Sequence, residues 1–192
     1  MAAPNTQDKQ REQERKSAFI SDIKTIRERA RQQIEKGAVT PSYGSGAEAL
    51  CELLNEALAT EIVCVLRYKR HYYMAEGVHS EGVKAEFLEH ANDEQEHADR
   101  IAERIVQLGG EPNFSPEGLA SRAHAQYEEG KTLRDMIRED LIAERIAIES
   151  YREMIAFVKE SDPTTRKMLE EILASEEEHA DDMATLYKRV AE

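Results

Sequence analysis

EQEHAD at residues 94–99 returns as EEEHAD at 176–181, an offset of 82 residues. Both copies carry Glu-x-x-His followed by Ala and Asp. A second pair keeps nearly the same register: Leu58-x-x-Glu61 with Tyr68, then Leu141-x-x-Glu144 with Tyr151, offset by 83. A single Glu-x-x-His means little in a Glu-rich chain; Glu76-x-x-His79, interrupted by Gly77, reads as such an accident. Four elements repeating in step are another matter. They are expected if one helical hairpin was duplicated and packed on its copy about a pseudo-twofold axis.

Apolar residues at three- and four-residue steps predict helices over about 47–75, 81–108, 132–159 and 163–190. Gly77 closes the first and Gly109-Gly110 the second, while Asp162-Pro163 starts the fourth with Pro at N1. The connection 111–131 holds Pro112, Pro116, Gly118 and Gly130, with a short helix expected around 117–128. Two short turns flanking one long crossover describe an all-α four-helix bundle over residues 47–192. Residues 1–46 form a separate extension. Phe19, Ile23, Ile26, Ala30 and Ile34 predict an amphipathic helix over about 17–36, ended by Gly37 and followed by a linker at 41–46.

Composition narrows the function. The chain has 192 residues, 40 % hydrophobic and 34 % charged, with few Gly and Pro and no Trp, which favours helices over a sandwich, barrel or disordered chain. A net charge of −13 argues against nonspecific nucleic-acid binding by the whole body. Residues 1–46 carry nine Lys and Arg against six Asp and Glu. Their mixed signs make DNA contact through this segment the weaker reading. The longest uninterrupted aliphatic run, Ile62–Leu66, is far short of a membrane span. No apolar leader opens the sequence, and Cys51 and Cys64 lie too far apart on one helix for a bridge. A reduced cytoplasmic location is expected.

The chemistry lies in the core-facing stripes. Each is mostly apolar, yet each carries ionisable groups near its middle: Glu61 on the first helix, Glu94 and His97 on the second, Glu144 on the third, Glu176 and His179 on the fourth. Unpaired buried carboxylates cost several kcal/mol each. Arg67, Arg100, Arg104, Arg145 and Arg152 fall mostly off these stripes, so guanidinium groups are not the expected partners. Four carboxylates and two neutral imidazoles match the charge of two divalent metal ions. Glu and His three residues apart share a helix face and can reach one ion. One Glu from each of two helices and a Glu-x-x-His pair from each of the other two resembles the ligand set of di-metal carboxylate bundles. Oxygen-rich ligands with imidazole favour iron or manganese.

Asp140, one turn before Glu144, reads either as the acceptor for a ligand histidine's second ring nitrogen or as an ordinary Asp early in a helix. Tyr68 and Tyr151 read as core tyrosines ahead of a role at the site. Cys64 reads as a small core residue, Glu89 and Asp93 as a solvated acidic face, and His71 and His90 have no assigned partner.

At these residues the sequence resembles the ferritin-like superfamily, bacterioferritins in particular. The likeness spans about 50–190 and is carried by LNEALATEIVCVLRYKRHYYM (54–74), EFLEHANDEQEHADRIAERIVQLGGEPN (86–113), DLIAE (140–144) and ILASEEEHADDM (172–183). It implies Glu61 and Glu144 as terminal ligands, Glu94 and Glu176 as bridges, and His97 and His179 completing a site for two iron ions per subunit. Gln95 stands where bacterioferritins place their haem-binding Met, which argues against haem. The longer crossover and N-terminal helix are similar to those of the smaller twelve-subunit starvation cages (Dps-type). The fourth helix ends with the sequence, so the fifth helix of 24-subunit cages is not expected. A homo-oligomer is implied, with a twelve-subunit cage one candidate and the subunit count left open by the sequence. The implied activity is Fe(II) oxidation by O2 or peroxide with storage of the product. The alternative is a di-iron or di-manganese redox enzyme that stores nothing (peroxidase, catalase or oxygenase); no C-x-x-C pair supplies the electron donor expected of the peroxidase relatives.

Overall fold

A computed structural model describes residues 21–77, 80–159 and 161–190. Phe19 and His79 lie outside them. The chain divides into two units with the boundary after Gly44. In the described part of the first, α1 spans Ile23–Ala30, capped by Asp22, whose carboxylate accepts from the Lys24 and Thr25 amides. The expected helix to residue 36 breaks here. Gln33 adopts a left-handed φ of 53° and only a 3-10 turn, Ile34–Lys36, follows. None of the residues of α1 is buried, so its apolar stripe gains none of the packing that normally sustains a helix.

The second unit is built from α2 (Ala47–Met74), α3 (Ser80–Gln107), the single-turn α4 (Leu119–Arg122), α5 (Leu133–Val158) and α6 (Pro163–Arg189). Among the described residues there is no strand, and no helix is long and apolar enough to cross a membrane. Helices α2 and α3 form one hairpin, α5 and α6 the other, and the two meet through α2 against α5 and α3 against α6.

Local chemistry sets the boundaries. At the end of α3, Gly109 takes φ +83°, its amide bonds to the Val106 carbonyl, and the Gly110 amide reaches back to Ile105. This is a Schellman ending. Gly110 has a second reason: a Cβ there would lie 2.7 Å from the Cys51 sulfur. Helix α5 opens with a capping box between Thr132 and Asp135. Helix α6 opens on Asp162, which accepts from the Thr165 amide. The Arg104 guanidinium, buried at the end of α3, donates to Asp162 at 2.8 Å and to Thr165 Oγ1 at 2.7 Å, tying the two helices together.

The crossover runs as a strap along α2 and is held by that helix's polar side chains. Asn55 accepts from the Asn113 amide and donates to the Glu111 carbonyl. Thr60 accepts from the His124 amide, and Arg67 donates to the Gln126 carbonyl. The short helix expected over 117–128 is confined to Leu119–Arg122, because residues further along extend to meet Thr60 and Arg67. Buried Leu54, Leu58, Phe87, Ile101, Ile137, Leu169, Ile172 and Met183 fill the interior. Each contributes roughly 1.5–3 kcal/mol.

Candidate metal centre

The repeated register places all six ionisable residues in one layer between the hairpins. Glu61 comes from α2, Glu94 and His97 from α3, Glu144 from α5, and Glu176 and His179 from α6; the four carboxylates are at most 1 % exposed and the two imidazoles 4 %. Their donor atoms fall into two overlapping quartets, Glu61–Glu94–His97–Glu176 and Glu94–Glu144–Glu176–His179, each drawn together within 4.8 Å. Glu94 and Glu176 belong to both. His97 Nδ1 lies 2.9 Å from Glu176, 3.3 Å from Glu94 and 3.5 Å from Glu61. His179 Nδ1 lies 3.9 Å from Glu144 and Glu176 and 4.0 Å from Glu94.

Seven buried side-chain polar atoms in the described residues lack a hydrogen bond. Six belong to this layer: Glu61 Oε2, Glu94 Oε1, Glu144 Oε2, both Glu176 oxygens and His179 Nδ1. Buried polar atoms are rarely left so, because each costs the desolvation of its group. Among the described residues no guanidinium neutralises them. Arg67 and Arg104, expected off the core stripes, are in fact buried, but Arg67 pairs with Asp140 and Arg104 with Asp162.

Without a cation the layer can only hold protons. Burial, reinforced by the other carboxylates, pushes Glu94 and Glu176 well above the ordinary range. Burial opposes a charged His97, yet the hydrogen bonds it donates to Glu61 and Glu94 hold it up to about 10. Burial would also raise Glu61, but His97 and Glu94 keep it below its usual value. A metal ion bound by these groups would need them bare, and its loading would release the protons.

Residues around the layer depart from several expectations. Tyr68 and Tyr151 are core residues, but each phenol also donates to the carboxylate of the opposite hairpin, Tyr68 to Glu144 and Tyr151 to Glu61. This fixes the angle of both carboxylates. Asp140 serves neither layer histidine. It accepts from Arg67 Nε at 2.7 Å and faces His71 Nδ1 at 2.8 Å, while His71 Nε2 reaches the crossover carbonyls of Glu128 and Glu129. The carboxylate beside His179 Nε2 is instead Asp93, at 3.3 Å. His90 gains a place as well: its ring stacks on that of His179 with centroids 4.0 Å apart. Gln95 is exposed and donates to Asp99.

Comparison with known proteins agrees with this architecture. The model of the ferritin-like domain matches residues 51–192. The bacterioferritin of Mycobacterium bovis is 31 % identical over 141 residues, covering 73 % of this chain and 84 % of that protein. A nutrient stress-induced DNA-binding protein of Synechococcus is 33 % identical over 134 residues, covering 68 % and 76 %. Among solved structures, a dodecameric thioferritin, the bacterioferritin-related protein of Bacteroides fragilis, superposes with a TM-score of 0.73 at 32 % identity, covering 76 % of this chain and 88 % of that one.

Proposed function

The chain belongs to the ferritin-like family, and on that footing we propose that its central layer is a dinuclear site that takes up Fe(II), oxidises it, and passes it to storage within a homo-oligomeric shell. The six buried polar atoms without hydrogen bonds, all facing one another across the layer, carry this reading. Two divalent ions balance four carboxylates, and imidazole nitrogen with carboxylate oxygen is a donor set that iron and manganese accept.

Iron is the substrate here, and the chain's own groups prepare it. Glu94 and Glu176, present in both quartets, bridge the two positions and hold the ions close. Glu61 with His97 completes one position, and Glu144 with His179 the other. The paired ions supply two electrons together, so one O2 with two protons becomes H2O2, or one H2O2 with two protons becomes two waters. The buried surroundings exclude competing ligands, and the phenols of Tyr68 and Tyr151 keep the terminal carboxylates from swinging away as charge builds. The strongly negative chain favours retention of cationic iron. Twelve subunits, the assembly of the Bacteroides relative, is the shell we favour. DNA binding stays with the Synechococcus protein, since residues 1–46 carry mixed charge. Two free buried cysteines suit a reduced cytoplasm.

Replacing Glu94 and His97 together by Ala is expected to abolish rapid Fe(II) oxidation while leaving helical circular dichroism high. Oxidation at the parental rate would mean the site is elsewhere. Adding several hundred Fe(II) per subunit in air separates storage from plain redox catalysis: a shell stays soluble and amber, whereas a non-storing enzyme drops rust.

A further inference from the structure

Glu86, His90 and Asp182 gather at one flank of the central layer, and nothing in the dinuclear reading uses them. One donor atom from each lies within 4.8 Å of the others. His90 is 3 % exposed at its side chain, whereas Glu86 and Asp182 are 39 % and 50 % exposed. The group therefore joins bulk solvent to the interior. His90 Nε2 has no hydrogen-bond partner among the described residues; it points between Asp182 at 3.8 Å and Glu86 at 4.0 Å.

The hydrogen-bond pattern says what His90 presents there. Tyr68 has one phenolic proton and gives it to Glu144. A Glu144 that ligates metal, as the reading above requires, accepts only. The contact between His90 Nδ1 and the Tyr68 oxygen, at 3.2 Å, therefore needs the proton on Nδ1. On the neutral ring, Nε2 is then a lone pair facing two carboxylates. Three acceptors converge with no donor among them. That is a cation site. On its inner side, the His90 ring lies against His179, so an ion held here is next to the dinuclear position that His179 completes.

The opposite flank of the layer shows that this one is particular. In the repeat register, the counterparts of Glu86, His90 and Asp182 are Met168, Ile172 and Arg100. Ile172 is fully buried, and Arg100 is cationic and paired to Glu171. No metal ion can be held there.

We propose that Glu86, His90 and Asp182 form a third divalent-cation site, one per subunit, that receives Fe(II) from solvent and passes it to the His179 side of the dinuclear centre. Access is thereby one-sided. The test uses the full-length protein with Mn(II) as probe. Anomalous maps of MnCl2-soaked crystals should show three peaks per subunit, one between Glu86, His90 and Asp182. Glu86→Gln with Asp182→Asn, both solvent-accessible and safe for folding, should remove that peak and lower solution binding by one Mn(II) per subunit. The same variant should oxidise sub-saturating Fe(II) about tenfold more slowly, the range of electrostatic guidance into a cleft. Central peaks without the third, or undiminished Mn(II) binding by the variant, overturn the proposal and leave the dinuclear reading standing. Loss of the central peaks overturns the dinuclear reading, and the delivery role with it.

Discussion

The two hairpins of the bundle, α2–α3 and α5–α6, agree at the centre and differ around it. Each supplies one carboxylate, one Glu-x-x-His and one tyrosine, and the tyrosines exchange hydrogen bonds across the divide. Outside that set the correspondence fails. Arg67 and His71 on α2 match Ser150 and Met154 on α5, and Asp140 on α5 matches the buried Ala57 on α2. The histidines themselves differ in setting, since His97 Nδ1 sits among three carboxylates within 3.5 Å and His179 Nδ1 comes no nearer than 3.9 Å to any. What the halves share is what two metal ions require. What they do not share gives the molecule a polar seam and a front.

The largest effect that would test this division concerns the seam. Asp140→Asn leaves a buried guanidinium short of its counter-charge, which typically costs about 3–5 kcal/mol. The denaturation midpoint should fall sharply while bound Mn(II) per subunit stays unchanged. Lost metal with intact stability would instead assign Asp140 to the centre.

A smaller effect tests the shared part. Tyr68→Phe and Tyr151→Phe each remove one hydrogen bond that orients a carboxylate, and such losses cost about ten- to a hundredfold in metal affinity. Tyr68 also orients His90, so its substitution should be the more severe by Mn(II) titration. Equal losses would show that the flank containing His90 contributes nothing.

The least effect is in acidity. His97 is held above its ordinary value when no metal is bound, and so are Glu94 and Glu176. Groups raised on folding stabilise at lower pH and lose that contribution as pH rises through the folded value. The thermal midpoint of metal-free protein should therefore fall from neutrality towards pH about 10, where His97 gives up its proton. Mn(II)-loaded protein, with bare ligands at every pH in this range, should not follow. His97→Ala should blunt the decline.

The bundle was legible because helical periodicity is local and the repeat marks both hairpins at once. Glu61, Glu94, His97, Glu144, Glu176 and His179 were legible because charges in an apolar stripe demand an explanation. Asp140 was not, since its neighbours Arg67 and His71 lie on another helix and only the packing of α2 on α5 brings them together. The stack of His90 on His179 is hidden for the same reason, being a matter of how α3 meets α6. Helix α1 was overextended because periodicity reports a capacity for packing, and none of its residues is buried.

The strap along α2 makes the two hairpins unequal partners in the fold. Asn55, Thr60, Arg67 and His71 have their partners in the chain segment that joins the repeats, so one hairpin has become the cradle of the linker and the other has not. Two halves made separately would therefore not be interchangeable. A circular permutant opened at the turn between α2 and α3 keeps every one of those bonds, and it is the rearrangement that this architecture tolerates.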